Sequence, residues 1–549
     1  MLKDCDVLII GGGPVGLTCA AELIRQGISN FQIVDKRLEP EIKSTGTGMN
    51  PPTLEVLESY GIASELTQYG VKGSFSRLVD GNYKLSNNLN FGNLLSKHSK
   101  YTFLGVEQWF TEKALNGYLL RNNQKILRGY NITDLKDLGD VVLVDYYQNN
   151  DASQTIHQIK AKFVIAADGA RSPTRKRLGI KYEGTTNKRS CLVIHLKTDT
   201  FQFPKDSLLI SFDADGGYFS MALPNSTMAF AIPLLEHEDK YLSDKVDNHG
   251  CRIPSAISDD ECLKIMTHRK TPVTSLNNVI WKAHFRANNR VASSYWNKNR
   301  IFLAGDAVHC SDPMAGLGMN YGIQDAANLG WKLAFVLKGY ASKLLLETYE
   351  TEMRPNGKIV TEEGRIAERN FQPKPKILAA IISNIFFPVF QFTGIFDRMF
   401  LHTLNMDIRH KSQLTKEDWS FDWNISSIWS LFRYLFVRRI KAGEKFKTSL
   451  HCLLPDSDLF LKSTKFKVLF FEGLNAEKNS QLNQIGKQIL ESNNFVDHYQ
   501  VVPQAKQELY TRCGVLGECM MIIRPDQFIG LRSHRISMTQ VNDYFAVLQ

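Results

Sequence analysis

A glycine-rich run near the start of the chain has the residue types and spacing of a dinucleotide-binding turn. Residues 11–16 read Gly-Gly-Gly-Pro-Val-Gly, so Gly11, Gly13 and Gly16 satisfy GxGxxG, and Pro14 opens the segment that follows. The first glycine permits a tight turn, the second lets a pyrophosphate approach the backbone, and the third lets helix and strand pack closely. The run therefore predicts a nucleotide site, although it does not separate FAD from NAD.

The elements around this run would hold it as such a site requires. Apolar residues 6–10 predict a buried parallel strand, residues 14–26 a helix and residues 31–34 a second strand. Asp35 ends that strand, about 20 residues past the glycines, where an acid accepts hydrogen bonds from a ribose diol. The helix N-terminus offers unpaired N–H groups and a positive dipole end to phosphates.

Two further motifs follow predicted strands. Residues 164–175 read VIAADGARSPTR and place Asp168 and Arg171 just after an apolar run. Residues 300–309 read RIFLAGDAVH and continue into a glycine-rich loop at residues 313–320. Carboxylates, arginines and free backbone N–H groups are thus expected at several strand ends.

In this order, the three motifs resemble those of the FAD-dependent aromatic hydroxylases, the class A flavoprotein monooxygenases. Residues 324–333 and 349–355 are also similar to that family, so the resemblance extends to about residue 360. It implies bound FAD, NADPH or NADH as co-substrate, and dioxygen. The implied activity is hydroxylation of an aromatic or polyketide-like small molecule through a flavin C4a-hydroperoxide. No second GxGxxG occurs, so we expect no separate nicotinamide domain.

The resemblance also implies which residues contact the cofactor. Asp306 would reach the ribityl chain or the pyrophosphate, and the N–H groups of residues 313–320 would stabilise negative charge on reduced flavin. His309 is expected to be structural; we predict no metal ligand and name no catalytic residue. The cofactor-binding residues so predicted are Gly11, Gly13, Pro14, Gly16, Asp35, Lys36, Gln108, Asp168, Arg171, Gly305, Asp306, Pro313, Gly316, Gly318, Met319 and Asn320.

The chain departs from the family pattern at two positions. Thr45 stands where the family commonly has an arginine near the FAD pyrophosphate, and Thr47 stands where phenol hydroxylases have an aspartate proposed to act on the phenol. The first change would weaken FAD binding or leave that role to Lys36 or Arg37. The second argues against simple phenol ortho-hydroxylation.

The patterns along the chain predict an α/β protein. It would have a Rossmann-type FAD-binding domain with an inserted antiparallel β-sheet substrate domain, a helical linker and a C-terminal thioredoxin-like domain. Pro355 is expected to interrupt a helix. Residues 524–532 resemble the end of the thioredoxin-like domain in the phenol hydroxylase branch. No Cys pair follows the first predicted strand of this domain, so we expect an interface or structural role and no redox activity. The predicted bounds are 1–180 and 290–360, 181–289, 361–445 and 446–549.

Composition limits the other possibilities. The 549 residues are 43% hydrophobic and 22% charged, which favours a globular protein. The net charge of +10 comes with short, scattered basic runs that do not make a nucleic-acid groove. Nine cysteines without a CxxC pair, and no visible signal peptide, favour a reduced, cytoplasmic chain. The apolar residues 377–404 are broken by polar residues and proline, which favours packed helices over a membrane span.

Several alternatives stay open at this point. The scaffold also suits other FAD enzymes, such as an oxidase, a reductase of isoprenoid double bonds or an antibiotic-inactivating monooxygenase. It also suits a non-catalytic FAD-binding module, although the intact motifs argue against one. Peripheral membrane attachment through residues 428–442 is a further possibility, and the resemblance makes a homodimer possible.

Overall fold

The computed structural model describes residues 2–40, 46–73, 75–79, 85–197, 207–211, 214–238, 242–246, 252–254, 257–381, 385, 389, 395–404, 406, 408–418, 440–446, 450, 453–454, 462–473, 479–515 and 517–549. Its strands, in chain order, are β1 (Cys5–Ile10), β2 (Phe31–Asp35), β3 (Gly48–Met49), β4 (Val71–Gly73), β5 (Phe75–Val79), β6 (Leu85–Asn90), β7 (Phe103–Gly105), β8 (Ile126–Arg128), β9 (Tyr130–Asp137), β10 (Val142–Gln148), β11 (His157–Ala166), β12 (Tyr182–Lys197), β13 (Ser207–Ser211), β14 (Tyr218–Leu223), β15 (Thr227–Pro233), β16 (Leu242–Val246), β17 (Arg252–Pro254), β18 (Val279–Ala292), β19 (Ile301–Leu303), β20 (His309–Cys310), β21 (Lys416–Asp418), β22 (Phe466–Glu472), β23 (Val496–Val502), β24 (Glu518–Ile523) and β25 (Ile529–Ser533). Its helices are α1 (Pro14–Arg25), α2 (Pro51–Glu58), α3 (Ala63–Tyr69), α4 (Phe91–Ser96), α5 (Gln108–Arg121), α6 (Pro173–Arg177), α7 (Asp259–His268), α8 (Gly318–Leu337), α9 (Leu344–Asn370), α10 (Lys376–Ile381), α11 (Ile395–Thr403), α12 (Asn479–Ser492), α13 (Gln507–Cys513) and α14 (Met538–Phe545).

A parallel sheet positions the three sequence motifs. Its order is β8-β2-β1-β11-β19, and every neighbouring pair among these strands is parallel. The central strand β1 is buried on both faces, as its apolar run predicts. The first half of β11 also pairs with antiparallel β10, which continues to β9. Because β1, β11 and β19 are adjacent and parallel, the loops that follow them emerge at one edge.

A second, eight-stranded sheet stands beside the first. Its order is β20-β18-β12-β15-β14-β13-β5-β6, antiparallel throughout except between β13 and β5. One face packs on α7, where Leu192, Ile194 and Phe230 meet Cys262 and Met266 in a buried cluster. The sheet is wider than the predicted insert at residues 181–289, because β5 and β6 from an earlier part of the chain extend one edge. The remaining domain bounds stay predictions.

The helix α9 corrects one expectation. It runs unbroken from Leu344 to Asn370 with Pro355 inside it, whereas the sequence predicted an interruption there. A proline removes one backbone donor and crowds the preceding turn. Here the burial of Tyr349, Met353 and Val360 against the rest of the chain holds the helix together through that defect.

The C-terminal part has its own sheet, in the order β21-β25-β24-β22-β23. Strand β22 is parallel to β23 and antiparallel to β24, so residues 466–545 form a βαβαββα unit. This order supports the thioredoxin-like name, which stays a prediction. The unit packs on α8, where Trp331 and Phe335 share a buried cluster with Phe466.

Two predictions concern residues that the structure hardly describes. Thr45 and most of the segment 428–442 lie outside the described residues. Within the described ranges, no helix combines the length and apolarity needed to cross a bilayer.

Candidate active site

The glycine-rich turn after β1 is crowded at two glycines and open at the third. A Cβ atom at Gly11, where φ is +113°, would lie 2.2 Å from Ala167 O, and one at Gly16 would lie 1.9 Å from Gly11 O. A Cβ atom at Gly13 would meet nothing within 4 Å. Gly11 and Gly16 therefore allow close packing of the chain on itself, whereas Gly13 faces free space in front of the N-terminus of α1. That space fits a pyrophosphate.

Asp35 lies at the end of β2 beside this turn. Its Oδ2 accepts a hydrogen bond of 2.8 Å from Gly12 N and one of 3.0 Å from Arg37 Nη2. Burial alone would raise the pKa of Asp35, but the hydrogen bonds and charge of Arg37 lower it below its usual value. The carboxylate is thus ionised and suited to accept hydrogen bonds from a ribose, while the neighbouring Lys36 is exposed.

Arg175 connects the second motif to the third. Its Nη2 donates to Ala170 O at 2.9 Å and its Nη1 to Ala307 O at 2.8 Å, and its guanidinium lies 3.8 Å from the centre of the Tyr182 ring. The hydroxyl of Tyr182 in turn donates to Asp306 O at 2.9 Å. Arg175 is 4% exposed, so the contacts of its own guanidinium are shielded from water and hold the two strand-end loops together.

Asp168 in the second motif has one carboxylate oxygen engaged and one available. Oδ2 accepts from Thr174 N at 3.1 Å, whereas Oδ1 is buried without a hydrogen-bond partner among the described residues. Arg171, three residues on, is exposed. An unpartnered buried carboxylate oxygen beside a nucleotide turn fits a cofactor that brings its own donor.

His309 is paired with a buried carboxylate, and its structural role stays a prediction. Its Nε2 lies 2.7 Å from Asp325 Oδ2, which also accepts from Gly305 N at 3.0 Å, and both side chains are fully buried. Burial lowers the pKa of His309, but the charge of Asp325 outweighs it and the net shift is upward. The pair attaches the loop after β19 to α8.

The loop at residues 313–320 begins with a short 3₁₀ turn at Pro313–Ala315, which Asp312 caps. Asp312 Oδ1 accepts from Met314 N at 2.9 Å, and its Oδ2 accepts from Asn187 Nδ2. Asp312 N donates to Asn289 Oδ1 at 3.0 Å, and Asn289 Nδ2 donates to Asn187 Oδ1 at 2.7 Å. Burial raises the pKa of Asp312 to about 7. This ring of three buried side chains fastens the loop to the eight-stranded sheet.

The same loop contacts the segment that contains Thr47. Asn320 Nδ2 donates to Gly48 O at 3.0 Å, and Asn320 Oδ1 accepts from Asn50 N at 2.8 Å. A Cβ atom at Gly46 would lie 3.3 Å from Gln108 Oε1 and 3.8 Å from Met319 Cβ. Gln108, Met319 and Asn320 therefore gather around residues 46–50.

An apolar row crosses the eight-stranded sheet on the face turned towards this loop. Val193 pairs with Ala231, Ala231 with Phe219, and Phe219 with Ile210, on four successive strands. All four pack near Met314 yet stay partly exposed. The row thus leaves some apolar surface partly exposed beside the loop that contains Met314.

The structure thus brings most of the predicted residues to one edge of the parallel sheet, on the turns after β1, β2, β11 and β19 and at the start of α8. The side chains of Lys36 and Arg171 are exposed. Sequence reasoning missed contributors that act across the chain. Arg175 lies within the motif at residues 164–175 and Asp325 within residues 324–333, but the sequence pattern did not single out either residue. Nothing in the local pattern marked the other three, which are Asn187, Asn289 and Asp312.

Comparisons with known proteins agree with this geometry. The 3-(3-hydroxy-phenyl)propionate/3-hydroxycinnamic acid hydroxylase of Mycobacterium sp. (strain JLS) is 28% identical over 386 residues, 69% of this chain and 62% of the relative. The pentachlorophenol 4-monooxygenase of Sphingobium chlorophenolicum is 30% identical over 354 residues, 64% of this chain and 62% of the relative. The chain thus matches less than two thirds of the length of these relatives.

A solved structure shares the fold over the whole chain. The ternary complex of aklavinone-11 hydroxylase with FAD and aklavinone superposes with a TM-score of 0.76 at 17% identity, covering 100% of this chain and 99% of that one. The fold is therefore that of the Rossmann-type FAD-dependent monooxygenases. Residues 4–363 match the family described as FAD binding domain, and the chain belongs to that family.

Proposed function

We propose that the chain is an FAD-dependent monooxygenase that uses NADPH or NADH and dioxygen to hydroxylate an aromatic or polyketide-like small molecule. The observation that carries this is that three nucleotide motifs meet at one sheet edge, and that Met314, in the loop that continues the third motif, packs against a partly exposed apolar row on the second sheet. The motifs suit FAD, and the row suits a flat substrate. The names of the relatives, which are hydroxylases of phenolic acids, a chlorophenol and a polyketide, support the substrate class.

The chain's own residues would divide the work of holding FAD. The open side of Gly13 and the N-terminus of α1 would receive the pyrophosphate, with Pro14 and Gly16 shaping the turn. Asp35 would accept hydrogen bonds from the adenosine ribose, and Asp168 Oδ1 would accept from a cofactor donor. Lys36, directly after Asp35, would lie near the adenosine and the pyrophosphate. The remaining predicted residues would surround the flavin half: Gln108, Arg171, Gly305, Asp306, Pro313, Gly316, Gly318, Met319 and Asn320.

Bound FAD would supply the redox chemistry, taking electrons from the nicotinamide and passing them to dioxygen. The protein would orient the ring between residues 46–50 and the loop at 313–320, and would exclude water from the apolar row. The N–H groups at the start of α8 would stabilise negative charge on the ring. The seven cysteines that the structure describes are all buried and outside disulfides, which supports a reducing cytoplasmic setting. A homodimer stays a prediction.

The test is a spectrum of the purified protein, followed by NADPH and NADH oxidation with a panel of phenols, hydroxycinnamates and anthracycline-type aromatics. Under ¹⁸O-labelled dioxygen, mass spectrometry should find one labelled oxygen atom in the product. Flavin reduction without labelled product would make the chain an oxidase or reductase on this scaffold. A protein that binds no FAD would contradict the proposal.

A further inference from the structure

One histidine lies on the substrate side of the eight-stranded sheet. His195 on β12 follows Val193 by two residues, so both side chains point to the same face. Its cross-strand neighbours are Ala229 on β15 and Trp281 on β18, whose ring meets the imidazole edge-on at 5.0 Å. His195 is 4% exposed, so its imidazole is buried on the face of the sheet that carries the apolar row.

The ring of His195 lacks a polar partner. Its Nε2 is buried and forms no hydrogen bond within the described part of the chain. Such an atom costs stability unless something else supplies the bond. Burial lowers the pKa of His195 to about 4, so near neutral pH the ring is uncharged, with one N–H group and one lone pair.

Small side chains lie next to His195 on the neighbouring strand. Ala229 and Ala231 occupy the neighbouring strand between the His195–Val193 pair and the larger Met221 and Phe219. Val193 and Ala231 stay partly exposed, so the exposed apolar surface comes within one residue pair of His195. Ala229 has no hydrogen-bonding side-chain group, and Trp281 meets His195 as an edge-on ring contact, so neither satisfies Nε2.

We propose that His195 binds a hydroxyl group of the aromatic substrate through Nε2 and so fixes how the ring lies on the sheet. A hydroxyl both donates and accepts, so it matches either tautomer of the neutral imidazole. The inference rests on the proposed function and narrows its substrate to an aromatic compound that already carries a hydroxyl group.

The experiment measures ligand affinity on the FAD-loaded protein through the change in flavin absorbance, which needs no turnover. The probes are 3-hydroxycinnamate and cinnamate, which differ only in the hydroxyl group. We expect the wild type to bind 3-hydroxycinnamate about 10-fold more tightly than cinnamate, and His195→Leu to bind the two acids equally, since only the hydroxyl bond is lost. The affinity for cinnamate should change less than about two-fold.

A thermal unfolding measurement separates this role from a structural one. His195→Leu should melt at the same temperature as the wild type or higher, because it removes an unpaired buried atom from the ligand-free protein. The matched control is His284→Gln: His284 is 2% exposed on the adjacent strand, but pairs with Leu192 and so faces α7. It should leave the preference for the hydroxylated acid intact.

Three results would overturn the inference. The first is a His195→Leu variant that still prefers 3-hydroxycinnamate. The second is a His195→Leu variant that loses affinity for both acids equally and melts at a lower temperature. The third is a wild type that binds neither acid or does not distinguish them. A wild type that shows the expected binding but forms no hydroxylated product would instead contradict the proposed function alone.

Discussion

Glu352 on α9 and Arg524 just after β24 form a fully buried ion pair, with Glu352 Oε1 2.6 Å from Arg524 Nη1. Lys332 on α8 lies 2.8 Å from the other oxygen of Glu352, and Asp526 accepts from Arg524 Nη2. Two cations thus balance two carboxylates. The network joins α9 and α8, the helix that follows the loop at residues 313–320, to the C-terminal sheet, which supports the interface role expected for that domain.

Replacing Arg524 by alanine should destabilise this junction strongly. The change leaves Glu352 and Asp526 buried with only Lys332 to balance them, and breaking such a pair costs about 3–5 kcal/mol. Thermal and urea unfolding would measure the loss. Arg512→Ala is the control, because its partner Glu508 is 66% exposed and such pairs contribute about 1 kcal/mol or less. Equal effects of the two changes would contradict the interface role.

Replacing Gly13 by alanine should abolish FAD binding without harming the fold. A Cβ atom there meets no protein atom, and the backbone at Gly13 is extended at φ −82°, which alanine tolerates. The methyl group would instead occupy the place of the pyrophosphate. We expect FAD affinity to fall about 100-fold or more, by titration of the apoprotein, with an unchanged melting temperature for the apoprotein. Unchanged FAD affinity would place the cofactor elsewhere.

Replacing Arg175 by alanine should weaken FAD binding indirectly. The guanidinium holds Ala170 O and Ala307 O together, so without it the two loops lose their common anchor. An affinity loss of about 10-fold is expected, consistent with two lost hydrogen bonds to a charged donor. Arg177→Ala on the same short helix is the control, since Arg177 is exposed. If both variants bound FAD alike, Arg175 would have no positioning role.

Asp312 should make stability depend on pH. Burial, aided by the charge of Glu368, raises the pKa of Asp312 to about 7 from the usual 3.8. The folded protein therefore holds this proton more tightly than the unfolded chain, and the stability it contributes is full below about pH 4 and is lost as the pH rises through 7. Between pH 4 and 8 the melting temperature of Asp312→Asn should change less than that of the wild type, and the difference between the two changes should be about 3 °C or more.

The control for that pH series is Asp140→Asn, because the Asp140 side chain is fully exposed. Its melting temperatures should run parallel to those of the wild type over the same pH range. Parallel curves for Asp312→Asn as well would show that the Asp312 carboxyl is already ionised at low pH in the folded protein.

Replacing Gly364 by alanine should loosen the loop at residues 313–320. A Cβ atom there would lie 2.3 Å from Asn289 Oδ1 and 2.9 Å from Asp312 N, so α9 and the loop would have to separate. We expect lower stability and weaker FAD binding. Gly117→Ala in α5 is the matched helical control: its Cβ would meet only the flexible end of Arg121, and alanine gains about 0.5–1 kcal/mol in a helix. A stable Gly364→Ala variant would argue against tight packing at this point.

The sequence by itself determined the nucleotide turn and its neighbours. Gly11, Gly13 and Gly16 act through backbone conformations and close approaches over a few residues, and Asp35 and Asp306 follow strands whose apolar runs are visible directly. Parallel strands put such ends on one edge, so the cofactor class followed from local spacing together with the family resemblance.

Only the tertiary structure decided how the strand-end loops are held and which residues of the eight-stranded sheet lie beside them. Asn187, Asn289 and Asp312 meet from three separate segments, β5 joins a sheet more than a hundred residues away in sequence, and α9 passes through Pro355 because of what packs on it. These contacts depend on burial and on hydrogen bonds between distant residues. Local residue patterns indicate propensity and spacing, whereas hydrogen bonds and packing between residues distant in sequence form only when the whole chain folds.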